Sequence, residues 1–375
     1  MQPLRVVFVV QGEGRGHMTQ ALALAVHLRD AGHEVERVLV GRSPWRSVPA
    51  YFREGIDAPV VDFDAPAQVP GPDGRALSVL RTAADVGSRA PAFVRAMETI
   101  DRETASADVV VNFLDLMGGL SLARTRRSRP TVAVAHNYLF LHPALQTAPG
   151  PQHVRRAVLD YARATTLGAD LRIALSFDEL PDAPGHRIRV APPLLRPGLE
   201  TLPTRDDGYL LAYALNAGYG AELAGWQAER SEVEVHCYLD GGAAALPDEG
   251  SAGMGRRGRT GMHVHDLAQA AFLDHLAGCR AYVGSAGFES LCEAYWLGKP
   301  ILAIPTEGQF EQTLNAWDAE RCGVARAGGW GDVGSFWDDG SAPEPERVTA
   351  FRDWTARAGP IVVASVEETV HIRRG

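Results

Sequence analysis

The chain has 375 residues, enough for two domains, and its 46% hydrophobic and 22% charged residues are an ordinary globular mixture. A formal net charge of -9 leaves no basic surplus to neutralise phosphates, which argues against nucleic acid as a main partner. The four cysteines form no Cys-x-x-Cys pair, so zinc is not expected and a reducing cytoplasmic setting fits best.

The opening run, Leu4–Val10, is apolar and β-rich and reads as a buried first strand. It passes directly into glycines without a small-residue cleavage site, so no signal peptide is expected. No apolar stretch reaches the roughly 18 residues of a membrane span. The glycine-rich Gln11–His17 follows, then Thr19–Ala31 with Leu22, Leu24, Val26 and Leu28 at helical spacing, closed by Gly32. Val35–Val40 reads as strand two. Val109–Asn112 and Thr131–Ala135 are further strands, the latter leading into His136 and Asn137, and Arg187–Val190 ends the first half. The segment Pro192–Asp207 carries four prolines and reads as a linker. A second strand series then runs through Tyr209–Ala214, Val233–Tyr238, Met262–His265, Ala281–Gly284 and Ile301–Ile304. Strands alternating with helices predict an α/β protein with a parallel sheet in each half, two Rossmann-like units. Ala65–Pro91 and Gly328–Pro345 have weak periodicity and read either as substrate loops or as plain surface connections.

Gly12, Gly14 and Gly16 are two residues apart and His17 follows at once. A dinucleotide fingerprint needs its third glycine where His17 stands, so NAD is not expected. A strand that turns abruptly into a helix still needs glycines, and the helix start offers N–H groups to a phosphate, with Gly14 and Gly16 forming that loop. His17 then lies at the carboxyl end of a parallel strand, where open α/β sheets bind ligands. There it either packs against the helix start or removes a proton near neutral pH.

Tyr282–Ala316 is the most informative stretch: strand, glycine turn Gly284–Gly287, a helix starting near Glu289, a Gly-Lys-Pro break, a strand, a loop and a helix. Glu293 lies on the same helix face as Glu289. A carboxylate there can accept two hydrogen bonds from a ribose diol. The loop Pro305–Phe310 leads to Glu311 and Gln312, able to bind sugar hydroxyls. His136 and His142 follow a strand of the first half, where they either touch an acceptor or make structural hydrogen bonds. His263 and His265 share one strand face with no cysteine or carboxylate at metal spacing, so no metal site is expected. No Asp-x-Asp of the kind that holds Mg²⁺ against a diphosphate is recognised, and Asp206-Asp207 and Asp338-Asp339 read as solvated loop acids. No Gly-x-Ser-x-Gly elbow supports a hydrolase.

Gly287, Ser290, Glu293, Gly298, Pro300, Pro305, Gln312 and Asn315, in this order, resemble the donor signature of GT-B glycosyltransferases, especially the bacterial MurG-like enzymes and related plant enzymes of secondary metabolism. GEGRGHMTQAL is similar to that family's first loop. The resemblance implies two Rossmann-like domains facing a cleft. Residues 1–195 would bind the acceptor, 196–207 would link, and 208–375 would bind the donor, with a final helix within Ser365–Arg373 crossing back to the first domain. It implies a metal-independent hexosyltransferase without a cofactor, inverting, using a UDP or dTDP sugar as co-substrate. The acceptor would be a small molecule or lipid-linked, in natural-product or cell-envelope glycoside synthesis. Glu293 would hold the ribose. Ser290 and the backbone of Gly287, Phe288 and Glu289 would hold the diphosphate. Gln312 with Glu311 would read the sugar, and the backbone of Val264 would meet the base. His17 would be the general base. The Asp that orients it in relatives is replaced by Asn112, with Asp115 three residues on as substitute. Two other readings share the fold: a nucleotide-sugar 2-epimerase and a non-catalytic sugar-nucleotide-binding relative.

Overall fold

The computed structural model describes residues 2–44, 48–69, 78–125, 129–145, 150–214, 219–239, 261–267 and 271–374. The chain divides into two compact units. One is built from the residues up to Val69, from Val79–Pro197 and from Phe351 onward; the other is centred on Gly198–Ala350.

The first unit runs β1 (Arg5–Gln11), α1 (Arg15–Asp30), β2 (Glu34–Arg42), α2 (Ala50–Gly55), β3 (Val60–Asp64), α3 (Val79–Ser88), α4 (Ala90–Glu103), β4 (Val109–Phe113), α5 (Leu116–Arg124), β5 (Thr131–Ala135), α6 (Gln152–Ala164), β6 (Leu171–Leu175) and β7 (Ile188–Ala191). Its sheet is seven-stranded, in the order β3-β2-β1-β4-β5-β6-β7, and all its pairs are parallel. A parallel sheet covered on both faces needs near-continuous apolar strands. Val6–Val10, Val109–Val111 and Val132–Val134 meet that need and are fully buried. The second unit continues with β8 (Leu210–Ala214), α7 (Gly220–Glu229), β9 (Val235–Leu239), β10 (Met262–Asp266), α8 (Phe272–Gly278), β11 (Ala281–Ser285), α9 (Phe288–Trp296), β12 (Ile301–Ile304), α10 (Phe310–Arg321), β13 (Arg326–Ala327) and α11 (Val333–Asp339). Its six-stranded sheet has the order β10-β9-β8-β11-β12-β13. Each sheet reverses its strand order once, between β1 and β4 and between β8 and β11. Open α/β sheets bind ligands at such switch points, outside the carboxyl ends of the strands.

α12 (Pro345–Thr355) carries the chain from the second unit to the first, and α13 (Ala358–Arg374) packs there. Val362, Val366 and Val370 recur at helical spacing and are buried. Glu367 reaches His33 Nε2 at 3.0 Å, and Arg189 donates to Ser365 Oγ at 3.0 Å and to Glu368 at 2.8 Å.

Two stretches read as loops behave differently. Within Ala65–Pro91 the structure forms α3 and the start of α4, while residues 70–77 lie outside the described residues. Gly328–Pro345 contains α11, and Val333, Phe336 and Trp337 belong to the core of the second unit. The aromatic residues that suggested a substrate loop are packing residues: Trp337 meets Trp226 edge-on, and Arg280 lies 4.5 Å from its ring centre. None of the four cysteines is in a disulfide. Among the described residues no helix is long and apolar enough to cross a membrane.

A close helix contact in the first unit falls at Gly119. A Cβ there would stand 2.6 Å from the carbonyl oxygens of both Ala164 and Thr165. Neither can yield without moving the end of α6, so Gly119→Ala is expected to cost about 1–3 kcal/mol. A lower urea midpoint at unchanged slope measures this.

Candidate functional site

In the first unit the turn after β1 is short: β1 ends at Gln11 and α1 starts at Arg15. Gly12 lies so close to β2 that an added Cβ would come within 2.2 Å of the Gly41 carbonyl oxygen, to which the Gly12 N–H donates at 3.0 Å. Gly14 is the N-cap of α1 and supplies no side chain, so the first N–H groups of the helix are left for another acceptor. Gly16 and His17 fall inside the first turn of α1, because the helix begins earlier than the apolar spacing from Thr19 suggests.

His17 is buried, and its Nδ1 faces Gln20 Oε1 at 3.4 Å. Burial pushes its imidazole down to about 4, against the opposing pull of the Gln20 bond. The ring is therefore neutral at neutral pH. With Nδ1–H given to Gln20, the lone pair sits on Nε2.

Asp115 is the N-cap of α5, and its Oδ1 accepts the Gly118 N–H at 2.7 Å. Its other oxygen, Oδ2, lies against Gly41, where an added Cβ would come within 2.6 Å. Burial raises its carboxyl to about 6, with the Gly118 and Met117 N–H groups pulling the other way. Asn112 shapes the same turn. Its Oδ1 accepts the Asp115 N–H at 3.0 Å, and its amide donates to the carbonyls of Asp115 at 3.0 Å and Thr165 at 2.9 Å. Between them Leu114 takes a φ of 54°, an uncommon conformation for a side-chain residue. The expected pairing of Asp115 with His17 is not formed. His17 pairs with Gln20, one helical turn on, and the Asp115 carboxylate is occupied by the helix end.

The two histidines expected at the acceptor are tied inward. His142 uses both ring nitrogens on backbone: Nε2–H donates to the Pro181 carbonyl at 2.9 Å, and Nδ1 accepts the Ala144 N–H at 3.1 Å. Of the two readings of His142, these bonds are the structural one. His136 donates Nδ1–H to the Leu175 carbonyl at 2.8 Å and packs edge-on against Phe140 and Phe177.

In the second unit, β11 leads through Ala286 and Gly287 into α9, which starts at Phe288. Gly287 caps the helix without a side-chain hydrogen bond, so the backbone of Phe288, Glu289 and Ser290 forms a positive end. Ser290 Oγ donates to the Gly287 carbonyl at 3.1 Å. The turn itself is held from α10, where Asn315 Nδ2 donates to the Ala286 carbonyl at 2.9 Å. At its other end α9 closes on Gly298, whose φ is 72°. There the N–H groups of Gly298 and Lys299 donate back to the carbonyls of Tyr295 and Ala294, a Schellman ending.

Glu289 is 5% exposed and Glu293 1%, so two carboxylates one turn apart are set among Leu291, Cys292 and Ala294. Gln312 is buried, and its Oε1 accepts the Thr306 N–H at 2.8 Å, which fixes the loop after β12. Tyr219 Oη accepts the Glu307 N–H of that loop at 3.0 Å and stacks on Trp330. Glu311 lies in the first turn of α10. Val264 is in the middle of β10, opposite Cys237, with its side chain against the core.

One residue and one motif escaped the sequence reading. Gln20 shares a helix face with His17, and that three-residue spacing was the available signal. Asp62-Phe63-Asp64 is an Asp-x-Asp that went unweighed. Both its aspartates are in ion pairs, Asp62 with Arg53 and Asp64 with Arg89 at 3.0 Å.

A family model described as glycosyl transferase family 1 matches residues 74–333, more than half of the chain. No curated protein sequence matches. Solved structures align over nearly the whole chain. UGT89C1 of Arabidopsis thaliana, in complex with UDP-L-rhamnose, has a TM-score of 0.63 at 15% identity, covering 98% of each chain. The glycosyltransferase SnogD of Streptomyces nogalater scores 0.55 at 22% identity, covering 97% of this chain and 99% of its own. MurG of Acinetobacter baumannii scores 0.54 at 16% identity with the same coverages. These likenesses fix the architecture as GT-B, two Rossmann-like α/β units. With that fold and the match across most of its length, the chain belongs to glycosyl transferase family 1 and is an enzyme of the glycosyltransferase type.

Proposed function

We propose that the enzyme moves a glycosyl group from a nucleoside diphosphate sugar, a UDP or dTDP sugar first, to an acceptor hydroxyl with inversion. The observation that carries this reading is the start of α9. A helix end without a side-chain cap stands at the switch point of its sheet, and two buried carboxylates follow within its first two turns. Helix ends of this kind suit a diphosphate, and a carboxylate one turn on suits a vicinal diol. Glu293 is assigned to the ribose, and Ser290 with the backbone of Gly287, Phe288 and Glu289 to the diphosphate. Gln312 and Glu311 are assigned to the donor sugar, and the backbone of Val264 to the base. The helix end, with its preorganised N–H groups, stabilises the departing diphosphate, the role a metal plays in other transferases.

His17 is the general base of the proposal. Gln20 holds Nδ1–H and leaves Nε2 to take the proton of the acceptor hydroxyl as its oxygen attacks the anomeric carbon. The bond from that carbon to the diphosphate oxygen breaks on the opposite side. Gly14 and Gly16 keep the backbone beside His17 open to a substrate. Asp115 acts through the α5 end it caps. Asp115→Ala is expected to cost about 1–2 kcal/mol of stability while leaving the pH dependence of kcat/KM in place. A displaced acid limb in that variant would return Asp115 to the proton transfer.

Unfolding temperature measured with UDP, dTDP and GDP, and with NAD⁺ as control, tests the donor assignment. A nucleoside diphosphate at about 100 times its Kd adds roughly 2.7 kcal/mol. Stabilisation by one of the three and not by NAD⁺ is the expected result. No shift with any of them would overturn the donor site.

A further inference from the structure

The second sheet ends on β9 and β10, and one face of that margin is lined with imidazoles. His236 on β9 stands opposite His263 on β10 and diagonal to His265. Helix α8 lays His275 over them, its ring centre 4.2 Å from that of His236 and 4.9 Å from that of His265. His236 Nδ1 and His265 Nε2 are 3.0 Å apart. One ligand atom from each of His236, His265 and His275 lies within 4.8 Å of the others.

Two of the other ring nitrogens are held from behind. Tyr238 Oη meets His275 Nδ1 at 2.8 Å, and Glu234 accepts from His236 Nε2 at 3.2 Å. The atoms turned to one another are then His236 Nδ1, His265 Nε2 and His275 Nε2, one from each ring. Metal-binding histidines are oriented in this way, by a carboxylate or hydroxyl on the far nitrogen.

We propose that His236, His265 and His275 bind a single divalent transition cation of the zinc type, with Tyr238 and Glu234 orienting two of the rings. Tetrahedral bonds of about 2.0 Å place ligand nitrogens a little over 3 Å apart, within the observed span. Three imidazoles without a hard-oxygen cage select zinc-like ions over Mg²⁺ or Ca²⁺. Cys237 adds no thiolate, since its side chain lies in the core on the opposite face. The cation fastens α8 to β9 and β10. It stands on β9 and β10, while the turn into α9 follows β11, on the other side of β8. The expectation of no metal weighed only His263 and His265; His236 comes from the preceding strand and His275 from the following helix.

A second trio, Glu234, His236 and His263, is also close enough to ligate, using the other face of His236. Titration of the full-length, tag-free, chelator-stripped chain with Zn²⁺ alone and Co²⁺ alone separates the two. The expected result is one equivalent bound, a higher unfolding temperature with Zn²⁺ but not with Mg²⁺, and the visible bands of four-coordinate Co²⁺. His265→Gln and His275→Gln should each weaken Zn²⁺ binding by more than the roughly 10- to 100-fold that an outer partner is worth. His263→Gln should leave binding unchanged. His265 is on the edge strand, so its variant carries the test if His275→Gln fails to fold. Absence of a one-equivalent site, or binding lost in His263→Gln and kept in His265→Gln, overturns the proposal.

Discussion

Replacing His17 with alanine is expected to lower kcat by about 100- to 10,000-fold, the usual contribution of a positioned base, with the donor KM little changed. Donor contacts are assigned to the other unit, so the loss belongs to the transition state rather than to binding. The pH profile gives a second readout. Because burial holds His17 down to about 4, the neutral imidazole persists well below its ordinary range. The acid limb of kcat/KM is therefore expected near pH 4, with a flat region from pH 7 to about 5. The same shift acts on stability. An unfolded chain takes up the proton near 6.5, so His17 withdraws stability as pH falls from 6.5 towards 4, at up to about 1.4 kcal/mol per pH unit. Asp115, raised to about 6, acts oppositely and withdraws stability as pH rises through 4 to 6. His17→Ala should reduce the first slope and leave the second. Full turnover in this variant would exclude His17 as the base.

Glu293→Ala is expected to abolish most of the stabilisation by nucleoside diphosphate. A carboxylate that accepts two ribose hydroxyls loses two charge-assisted bonds, each about 1.5–3 kcal/mol. A 100-fold weaker Kd follows at the least. At a concentration that stabilises the parent by roughly 2.7 kcal/mol, the variant would gain only about 0.4 kcal/mol. Since Glu293 is nearly solvent-free, Glu293→Gln serves as the volume-preserving companion. If both variants fold and both keep the parent's nucleotide response, the ribose is bound elsewhere.

The sheets were legible because their strands are continuous apolar runs. Thr131–Ala135 and Ile301–Ile304 were read at their observed limits, and β1, β4 and β11 within a residue. β3, β6 and β13 were missed. β3 is half polar, β6 contains Arg172, and β13 has two residues, so none carries an apolar run. The glycine turns of both sites were also legible, since abrupt strand-to-helix passages restrict residue choice. Hydrogen-bond partners were not. Asp115 and Gln20 are equally plausible neighbours of His17 on paper, and only the start of α5, which claims the Asp115 carboxylate, separates them. His136 and His142 follow a strand as ligand-facing residues do, yet backbone carbonyls from distant segments hold them.

The return of α13 has a consequence for biosynthesis. Its valines and Glu367 complete the packing around α1, β5 and β7, all of which leave the ribosome more than a hundred residues earlier. At about 5–20 residues per second, the first unit waits many seconds with an apolar flank uncovered, while the second can close as soon as its own strands are out. The molecule therefore matures in the reverse of its reading order. A stop codon before residue 358 would harm the unit that was translated first.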